Sequence, residues 1–350
     1  MIRVLEFSNQ FSMGGTEKTI QLLMKYMDKS KFTVFAAGWK GGDRLELIKA
    51  LAEDTFISED ANAMAQWIKS KNIDIVHFHR MGDPDHKLID TFRAAGVPIL
   101  IEHNIFAHFD NTSDRIQIKK HIFVSKAQKE IYKQRAGILY EDSKCVSIYN
   151  PVETDNFDSY NFTRDFSQPV FGRYSRKDSS KWHPINIHCL PIIKSAMPDA
   201  KFYVIGMPDE YREGIKQLGC SEMVTEFPNT LNEQELCDFL NKITVFTHGS
   251  IYGESFGISI AESMAAGLPV VTHSGGDSAQ AELVTDGLNG YVIDPNNPQQ
   301  YAEKVIHLLQ HPDLKKEMGL KGQQRVKEWF RVTDIVKQIE EVFISTLKSK

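Results

Sequence analysis

The sequence predicts an α/β protein made of two doubly wound domains of similar size that face each other across a cleft. Short apolar runs alternate with helical patterns along almost the whole chain, which is typical of βαβ units in parallel sheets. The chain has 350 residues, and a single domain usually takes roughly 100–200 residues. The alternation loosens between Asn150 and Pro169, where Asn, Asp, Ser and Pro are frequent. We therefore expect the domain boundary in this stretch.

The predicted strands are short apolar runs that end in polar or glycine-rich segments. They span 3–7, 32–37, 73–78, 98–102 and 121–124 in the first domain, and 169–172, 201–206, 243–247 and 268–273 in the second. The predicted domains cover residues 1–163 and 164–330. Ligands of such sheets bind outside the carboxyl ends of the strands. Polar residues at those ends are therefore the candidates for function.

The composition excludes several classes of protein. A formal net charge of −5, without a strongly basic half, argues against nucleic-acid binding. The four cysteines are scattered with no C-x-x-C pair, which predicts buried structural thiols in a reducing compartment. No apolar stretch approaches the roughly 18 residues of a membrane span, and the N-terminus begins as a strand with interleaved charges. We expect a cytoplasmic protein without a signal peptide.

The most informative segment spans residues 253–271, where two carboxylates flank the start of a helix. The strand 243–247 leads through a loop into a helix predicted over 256–266. The free N–H groups at the start of this helix point into the loop, with the positive end of the helix dipole behind them. They belong to residues near Gly257, Ile258 and Ser259. A diphosphate fits such a position.

Glu254 and Glu262 are the two carboxylates of this segment. Glu254 precedes the predicted helix and Glu262 lies more than one turn inside it, so each could accept hydrogen bonds from sugar hydroxyls without contacting the phosphates. The segment therefore predicts a nucleotide-sugar site. The alternative is an ordinary amphipathic helix, with Glu254 in a loop and Glu262 on a solvated face.

This segment resembles the signature of retaining GT-B glycosyltransferases of family 4, in which seven residues separate two glutamates and Phe256 and Gly257 have counterparts after the first. In that family the first glutamate contacts the donor hexose and the second the ribose, which assigns these roles to Glu254 and Glu262. The resemblance implies the GT-B fold, with an N-terminal acceptor domain and a C-terminal nucleotide-sugar domain. It also implies that residues 331–350 form a helix that crosses back to the N-terminal domain.

Gly14 and Gly15 follow the first strand and open a helix, where bare backbone can approach a ligand. Taken alone, such a pair is equally typical of a tight turn. Family 4 enzymes carry a similar glycine loop over the donor phosphates and the acceptor. The resemblance therefore assigns Gly14 and Gly15 to donor binding, together with Phe256.

His103 follows the predicted strand 98–102 and resembles a strand-end histidine that lies under the donor sugar in this family. Its carbonyl or its ring would stabilise positive charge or bind a sugar hydroxyl. A lone histidine is otherwise structural in most proteins. His77 and His79, at the end of the preceding strand, are expected to line the cleft or the core, and we assign them no chemistry.

Arg173 and Lys181 resemble the cations that the family places after the first strand of the second domain. A nucleoside diphosphate leaving group gains negative charge as the glycosidic bond breaks, and fixed cations stabilise it. The usual lysine follows the arginine more closely than Lys181 does, so Arg176 or Lys177 could take the second role. The alternative is a solvated basic loop.

Two further segments bear on the site. Residues 272–276, followed by Glu282, resemble the stretch that shapes the nucleotide side in the family. The sequence Asp83-Pro84-Asp85 has the spacing of a metal-binding D-x-D motif, but it lies in the first domain, where a donor metal is not expected. We interpret it as a turn.

The resemblance implies a retaining enzyme that moves a hexose from a nucleotide diphosphate sugar to an acceptor hydroxyl in polysaccharide, glycolipid or glycoconjugate synthesis. A UDP-sugar is favoured over a GDP-sugar, and no cofactor or metal is implied. The acceptor would be a saccharide, a lipid-linked sugar or a small molecule. A sugar-nucleotide 2-epimerase shares the fold, but its acid/base set is not seen. A non-catalytic subunit that binds glycans or sugar nucleotides is the other alternative.

Basic residues cluster within residues 121–132 and on either side of them, and many relatives dock on anionic lipid through a basic face of the N-terminal domain. The cluster consists of Lys119, Lys120, Lys126, Lys129, Lys133 and Arg135. Each such charge contributes about 1 kcal/mol near an anionic surface. Peripheral membrane contact and an ordinary solvated helix face are equally compatible with this pattern.

Overall fold

A computed structural model describes residues 1–276 and 278–349 and divides them into two compact units. The first unit contains residues 1–151 together with the C-terminal segment from Val332, and the second spans Val152–Arg331. Each unit is built on one parallel sheet with helices between its strands. The prediction of two Rossmann-like α/β domains is therefore confirmed.

The first unit alternates strands and helices in βαβ order. Its strands pair in parallel in the order β3-β2-β1-β4-β5-β6-β7. The elements are β1 (Ile2–Gln10), α1 (Gly15–Tyr26), β2 (Phe32–Lys40), α2 (Leu45–Lys49), β3 (Thr55–Ile57), α3 (Ala61–Ser70), β4 (Ile75–Arg80), α4 (His86–Ala94), β5 (Ile99–Asn104), β6 (Ile118–Phe123), α5 (Lys126–Ala136) and β7 (Cys145–Ser147).

The second unit follows the same rule, with strands in the order β10-β9-β8-β11-β12-β13 and parallel pairing. The elements are α6 (Thr154–Ser159), β8 (Val170–Tyr174), α7 (Ile185–His188), α8 (Leu190–Ala196), β9 (Lys201–Ile205), α9 (Asp209–Gln217), β10 (Val224–Phe227), α10 (Glu233–Asn241), β11 (Val245–Thr247), α11 (Ile258–Ala265), β12 (Val270–His273), α12 (Gln280–Leu283), β13 (Gly290–Ile293), α13 (Pro298–Gln310) and α14 (Pro312–Trp329).

The last helix, α15 (Val332–Lys348), packs on the first unit. Its apolar face joins the core that covers one side of the first sheet, and Phe343 contacts the rings of Phe32 and His77 at centroid distances of 6.2 and 5.2 Å. The Asp28 amide donates a hydrogen bond of 2.6 Å to the Glu340 carboxylate. The final helix therefore contributes core side chains to a unit whose other residues end at Pro151, about 180 residues earlier in the chain.

The boundary between the units lies twelve residues before the predicted one, after Pro151 instead of residue 163. Val152 donates its amide to the Phe330 carbonyl at 2.7 Å, and the Tyr160 hydroxyl donates to Asp238 at 2.8 Å. Residues 152–163 are therefore fixed to the second unit. Their polar composition gave no sign of this, because the contacts are made with residues far along the chain.

No helix in the described part of the chain has the length and hydrophobicity that a membrane crossing requires. The cysteines Cys145, Cys189, Cys220 and Cys237 are buried and form no disulfide, as expected from their spacing.

Candidate functional site

Two glycines in the left-handed conformation fix the loop between β11 and α11. Gly253 has φ of 73° and Gly257 has φ of 99°, a region that side chains other than glycine rarely adopt. A Cβ on Gly253 would lie 2.4 Å from the Ser278 side chain, so space also requires glycine there. The loop between these glycines carries Glu254 to the carboxyl edge of the second sheet.

Glu254 is held by two basic side chains. Its carboxylate accepts hydrogen bonds of 2.8 and 3.1 Å from Lys181 Nζ, and its Oε1 lies 3.3 Å from His248 Nε2. Burial by itself would raise the pKa of Glu254, but the charge of Lys181 and the hydrogen bond from His248 outweigh it and hold the pKa well below the usual range. Glu254 is therefore an ionised hydrogen-bond acceptor and a weak base.

Glu262 is buried on α11 and accepts a short hydrogen bond from the Tyr174 hydroxyl. Burial, together with the nearby Glu262 charge, raises the pKa of Tyr174 well above its usual value. The tyrosine therefore stays a donor. Because Tyr174 is the last residue of β8, this bond ties the carboxyl end of that strand to the middle of α11.

Arg173 is completely buried and holds two loops together. Its guanidinium donates to the Gly249 carbonyl at 3.1 Å and to the Lys181 carbonyl at 2.6 Å, and it stacks 4.1 Å above the Trp182 ring. Burial lowers the pKa of Arg173 to about 10, so it remains a cation at neutral pH. The structure thus places its charge beneath the loop that carries Glu254. Two of its nitrogens donate to backbone carbonyls, and its buried Nε has no hydrogen-bond partner among the described residues.

The three candidates for the second cation differ in their partners. Lys181 contacts Glu254, whereas Arg176 pairs with Asp178 at 2.8 Å and Lys177 pairs with Asp209 at 3.0 Å. The latter two pairs are substantially exposed. Of the three, Lys181 is therefore the one that the structure brings to Glu254.

The start of α11 agrees only partly with the predicted anion site. The helix begins at Ile258 with Gly257 as its N-cap, and Ile258 and Ser259 are partly exposed. The side chain of Phe256 is instead buried, and its ring contacts Phe330 at 5.1 Å. Any ligand contact of Phe256 would therefore involve its backbone, while the amides of the first turn lack intrahelical acceptors.

The segment after β12 braces the same loop. The Glu254 carbonyl accepts from the Ala279 amide at 2.8 Å, and the Glu254 amide donates to Gln280 Oε1 at 3.3 Å. His273 is buried beside Gly275, and neither of its ring nitrogens has a hydrogen-bond partner among the described residues. Residue 277 of this segment lies outside the described residues.

In the first unit, Gly14 is the N-cap of α1 and Gly15 is its first residue. Gly14 has φ of −140° and ψ of 167°, an extended conformation that any residue can adopt. Backbone strain therefore does not require glycine here. Access of a ligand to the bare backbone remains the predicted reason for the pair.

His103 lies at the end of β5 within a buried cluster. Its Nδ1 is 3.2 Å from His77 Nε2, and its ring stacks on His79 at a centroid distance of 4.7 Å. Glu6 contacts both of these neighbours, His77 at 2.9 Å and His79 at 2.8 Å. The structure therefore brings together His103 and two histidines to which the sequence gave no role.

Residues 83–85 do not form the acidic pair of a metal motif. Asp83 pairs with His108 at 2.9 Å, and Asp85 caps α4 by accepting from the Leu88 amide at 3.0 Å. The interpretation of this segment as a turn agrees with both contacts.

The second unit matches a known protein family. Residues 162–325 match the family model described as glycosyl transferases group 1, and they include Glu254, Glu262, Arg173 and Lys181. Residues 162–325 are just under half of the 350-residue chain, so the match identifies the second unit as a group 1 glycosyltransferase domain. The predicted resemblance to glycosyl transferases group 1 and the predicted enzyme class, a glycosyltransferase, are confirmed.

Relatives of this glycosyltransferase differ in how much of the chain they match. The chain is 29% identical to a trehalose synthase of Pyrococcus horikoshii over 183 residues, which are 49% of the chain and 43% of the relative. It is 22% identical to the N-acetyl-alpha-D-glucosaminyl L-malate synthase of Bacillus anthracis over 316 residues, 82% of the chain and 79% of the relative. The chain therefore spans less than half of the first relative and most of the second.

A crystal structure of Anabaena Alr3699/HepE in complex with UDP and glucose is similar over almost the whole chain. The TM-score is 0.80 at 18% identity, and the match covers 99% of this glycosyltransferase and 100% of that chain. At this identity the likeness concerns the fold. The GT-B fold class is confirmed.

The sequence did not single out Glu6 in the first unit, or Tyr174 and His248 in the second. Each lies on a strand or just after it, and Tyr174 and His248 follow predicted strands at the carboxyl end. That position was a usable signal. The signal at Glu6 is different: it is a carboxylate inside a strand, and the residues on either side of it are buried.

We predict that Lys181→Met lowers the free energy of unfolding at pH 7 by up to about 3 kcal/mol, because it removes the cation paired with partly buried Glu254. The depressed pKa of Glu254 stabilises the native state above the usual glutamate range, and this contribution is lost as the pH falls. The difference between the variant and the unchanged chain should therefore narrow between about pH 5 and about pH 2. Urea unfolding at both pH values measures it.

Lys177→Met is the matched control, since its partner Asp209 is largely exposed and such pairs contribute little. A stability difference for Lys181→Met that does not change with pH would contradict the assignment of the loss to Glu254.

Proposed function

We propose that this glycosyltransferase is a retaining enzyme of family 4 that transfers a hexose from a UDP-sugar to an acceptor hydroxyl. The observation that carries the proposal is the ionised Glu254, held between two left-handed glycines and directly before α11. A carboxylate in this position can accept hydrogen bonds from hexose hydroxyls. The adjacent amides of the first helical turn suit a diphosphate.

The donor would lie along α11 with its three parts on different groups. The ribose contacts Glu262, the diphosphate contacts the start of α11 and Lys181, and the hexose contacts Glu254. Lys181 has three N–H donors, so it can keep its hydrogen bond to Glu254 and still donate another one to a phosphate. Arg173 adds a fixed positive charge below the loop without moving.

The low pKa of Glu254 bears on the mechanism. A weakly basic carboxylate is a poor acceptor for the proton of the attacking hydroxyl. We therefore assign that proton to the leaving diphosphate: the bond from the anomeric carbon to the phosphate oxygen breaks, the bond to the acceptor oxygen forms on the same face, and the hydroxyl proton passes to the departing phosphate. Glu254 positions the hexose throughout.

UDP is favoured as the nucleotide because Anabaena Alr3699/HepE, which shares the fold, was crystallised with UDP and glucose. Groups outside the α11 segment would determine which hexose and which acceptor the enzyme binds. A saccharide, a lipid-linked sugar or a small molecule would meet the requirement for a free hydroxyl.

We predict that donor turnover needs no divalent metal, because Lys181 and the α11 amides supply the charge that a metal would otherwise supply. Hydrolysis of UDP-glucose, followed by UDP release, should persist after treatment with EDTA and desalting. Complete loss of turnover that Mg²⁺ or Mn²⁺ restores would contradict this part of the proposal.

We predict that Glu254→Gln and Glu262→Gln affect UDP differently. UDP has no hexose, so Glu254→Gln should cut turnover while UDP still binds. A charged acceptor on a hydroxyl contributes about 1.5–3 kcal/mol, so Glu262→Gln should weaken UDP roughly tenfold or more. Isothermal titration calorimetry with UDP measures both affinities.

Glu303→Gln is the matched control for these substitutions, because Glu303 is exposed on α13 of the same unit. The control should keep both UDP affinity and turnover. Equal losses of UDP affinity for Glu254→Gln and Glu262→Gln would mean that the two roles are misassigned.

We also propose that the basic cluster of the first unit contacts anionic lipid. The exposed Lys133 and Arg135 lie in the last turn of α5, and Ile138 and Leu139 are exposed directly after it. This combination of cations and exposed apolar side chains suits a lipid surface. Pairing of Lys129 with Asp142 and of Lys133 with Glu130 weakens the surface charge.

Co-sedimentation with vesicles of phosphatidylcholine, with and without phosphatidylglycerol, tests this contact. Binding should require the anionic lipid, fall at high salt, and be reduced by Lys133→Glu combined with Arg135→Glu, because each charge contributes about 1 kcal/mol. Lys316→Glu, on an exposed position of α14, is the control. Absence of binding at low salt would remove the proposal.

A further inference from the structure

Four hydrogen bonds in the second unit form a closed ring that begins and ends on Glu254. The Glu254 amide lies 3.3 Å from Gln280 Oε1, and Gln280 Nε2 lies 3.4 Å from Thr272 Oγ1. Thr272 Oγ1 lies 3.5 Å from His248 Nδ1, and His248 Nε2 lies 3.3 Å from Glu254 Oε1. The side chains of Gln280 and Thr272 are fully buried, and His248 is buried beside them. The ring therefore joins β12 and the start of α12 to the loop after β11.

The Glu254 amide fixes the direction of these bonds. Its N–H group can only donate, so the Gln280 atom that faces it is the carbonyl oxygen, and the other end of that side chain is the NH₂ group. The NH₂ group then donates to Thr272 Oγ1. The hydroxyl proton of Thr272 is left to donate in turn, and His248 Nδ1 is the acceptor that faces it.

The Glu254 carboxylate fixes the same direction from the other end of the ring. Lys181 keeps the carboxylate ionised, so it can only accept, and His248 Nε2 must carry a proton. Burial lowers the pKa of His248, although Glu254 opposes the shift, so the imidazole is neutral at pH 7. Its Nδ1 is then unprotonated and accepts from Thr272. Two independent starting points therefore give one consistent set of donors and acceptors.

The main chain around Glu254 is held by other contacts. The Ala279 amide donates to the Glu254 carbonyl at 2.8 Å. Gly253 packs so closely against Ser278 that a Cβ there would lie 2.4 Å from the serine side chain. The side chains of the ring are therefore not needed to fix the loop. What they add is one orientation of the carboxylate.

The ring leaves the two oxygens of Glu254 with different partners. A carboxylate offers about four acceptor positions, two on each oxygen. Oε1 receives His248 Nε2 at 3.3 Å and Lys181 Nζ at 3.1 Å, whereas Oε2 receives Lys181 Nζ at 2.8 Å and no second donor among the described residues. The Glu254 side chain is 13% exposed. One acceptor position therefore remains on Oε2, on a carboxylate that solvent can reach.

We propose that His248, Thr272 and Gln280 are positioning residues whose ring occupies Oε1 of Glu254 and leaves Oε2 as the oxygen that accepts a hydroxyl of the donor hexose. The inference rests on the proposed function, because that function supplies the hexose. The three side chains act through Glu254 and do not touch the ligand. A carboxylate that is already oriented loses little freedom when a hydroxyl binds, so the ring strengthens binding of the hexose and not of the nucleotide.

The direction of the ring is tested without a ligand. Nitrogen-15 NMR of the full chain with labelled histidine distinguishes protonated from unprotonated ring nitrogens, and the His248 signals are identified by their loss in His248→Gln. At pH 7 we expect a protonated Nε2 and an unprotonated Nδ1. A protonated Nδ1 would overturn the proposal, because Thr272 could not then donate to it.

The positioning role is tested with Thr272→Val and Thr272→Ser. Valine keeps the shape of threonine without the hydroxyl, whereas serine keeps the hydroxyl. We expect Thr272→Val to bind UDP-glucose about three- to tenfold more weakly, which corresponds to the loss of one hydrogen bond, and to bind UDP within twofold of the unchanged chain. Thr272→Ser should bind both ligands within twofold of the unchanged chain. Isothermal titration calorimetry measures all of these affinities.

Thr244→Val is the matched control. Thr244 is also buried, and its hydroxyl donates to the Val170 carbonyl at 2.9 Å outside the ring. The control should lower stability and change neither affinity by more than twofold. Equal losses of UDP and UDP-glucose affinity in Thr272→Val would indicate a general structural role and overturn the positioning role. Gln280→Met interrupts the ring at another point, and it replaces Thr272→Val if that variant does not fold.

A crystal structure with UDP-glucose shows which oxygen of Glu254 is used. A hexose hydroxyl should lie within hydrogen-bond distance of Oε2, the oxygen that His248 does not contact. A hydroxyl on Oε1 alone would overturn the proposal. If the unchanged chain binds neither UDP nor UDP-glucose, the proposed function fails, while the His248 tautomer still decides whether the ring has the direction derived above.

Discussion

Parallel pairing of the strands is the constraint on which the rest of the structure depends. In a parallel sheet every strand runs the same way, so the carboxyl ends of all strands meet at one edge. In the second unit this edge collects Tyr174 of β8, His248 after β11 and His273 of β12. In the first unit the same rule sets His79 against His103. In each unit, the polar side chains of the candidate site therefore lie at the carboxyl ends of the strands.

Two buried or partly buried carboxylates, Glu102 and Glu254, are each compensated by basic side chains from other segments of the chain. Glu102 is held by Arg80 at 2.5 Å and by His121, and although burial would raise its pKa these neighbours lower it to about 2. Glu254 has Lys181 and His248 in the same role. Such pairs are costly to break because the remaining charge stays buried. They give the strand ends fixed side-chain geometry, which a donor site needs.

The family match and the structural similarity cover different parts of the chain. The family model covers 162–325, which lies within the second unit and contains both glutamates. The Anabaena structure matches 99% of the chain, but at 18% identity. It therefore supports the fold and gives no information about the acceptor. The first unit, which contains the buried Glu6 and its histidine neighbours, lies outside the family match.

The sequence by itself determined the fold class, the central strands and the segment with Glu254 and Glu262, because hydrophobic periodicity and helix signals are local. It missed β3, β7, β10 and β13, which are the sheet edges and have only three or four residues. The tertiary structure alone decided the boundary after Pro151 and the partners of the site. Lys181 and Glu254 are 73 residues apart, and Glu6 and His77 are 71 apart. Contacts over such distances follow from strand register and loop closure, which no local pattern encodes.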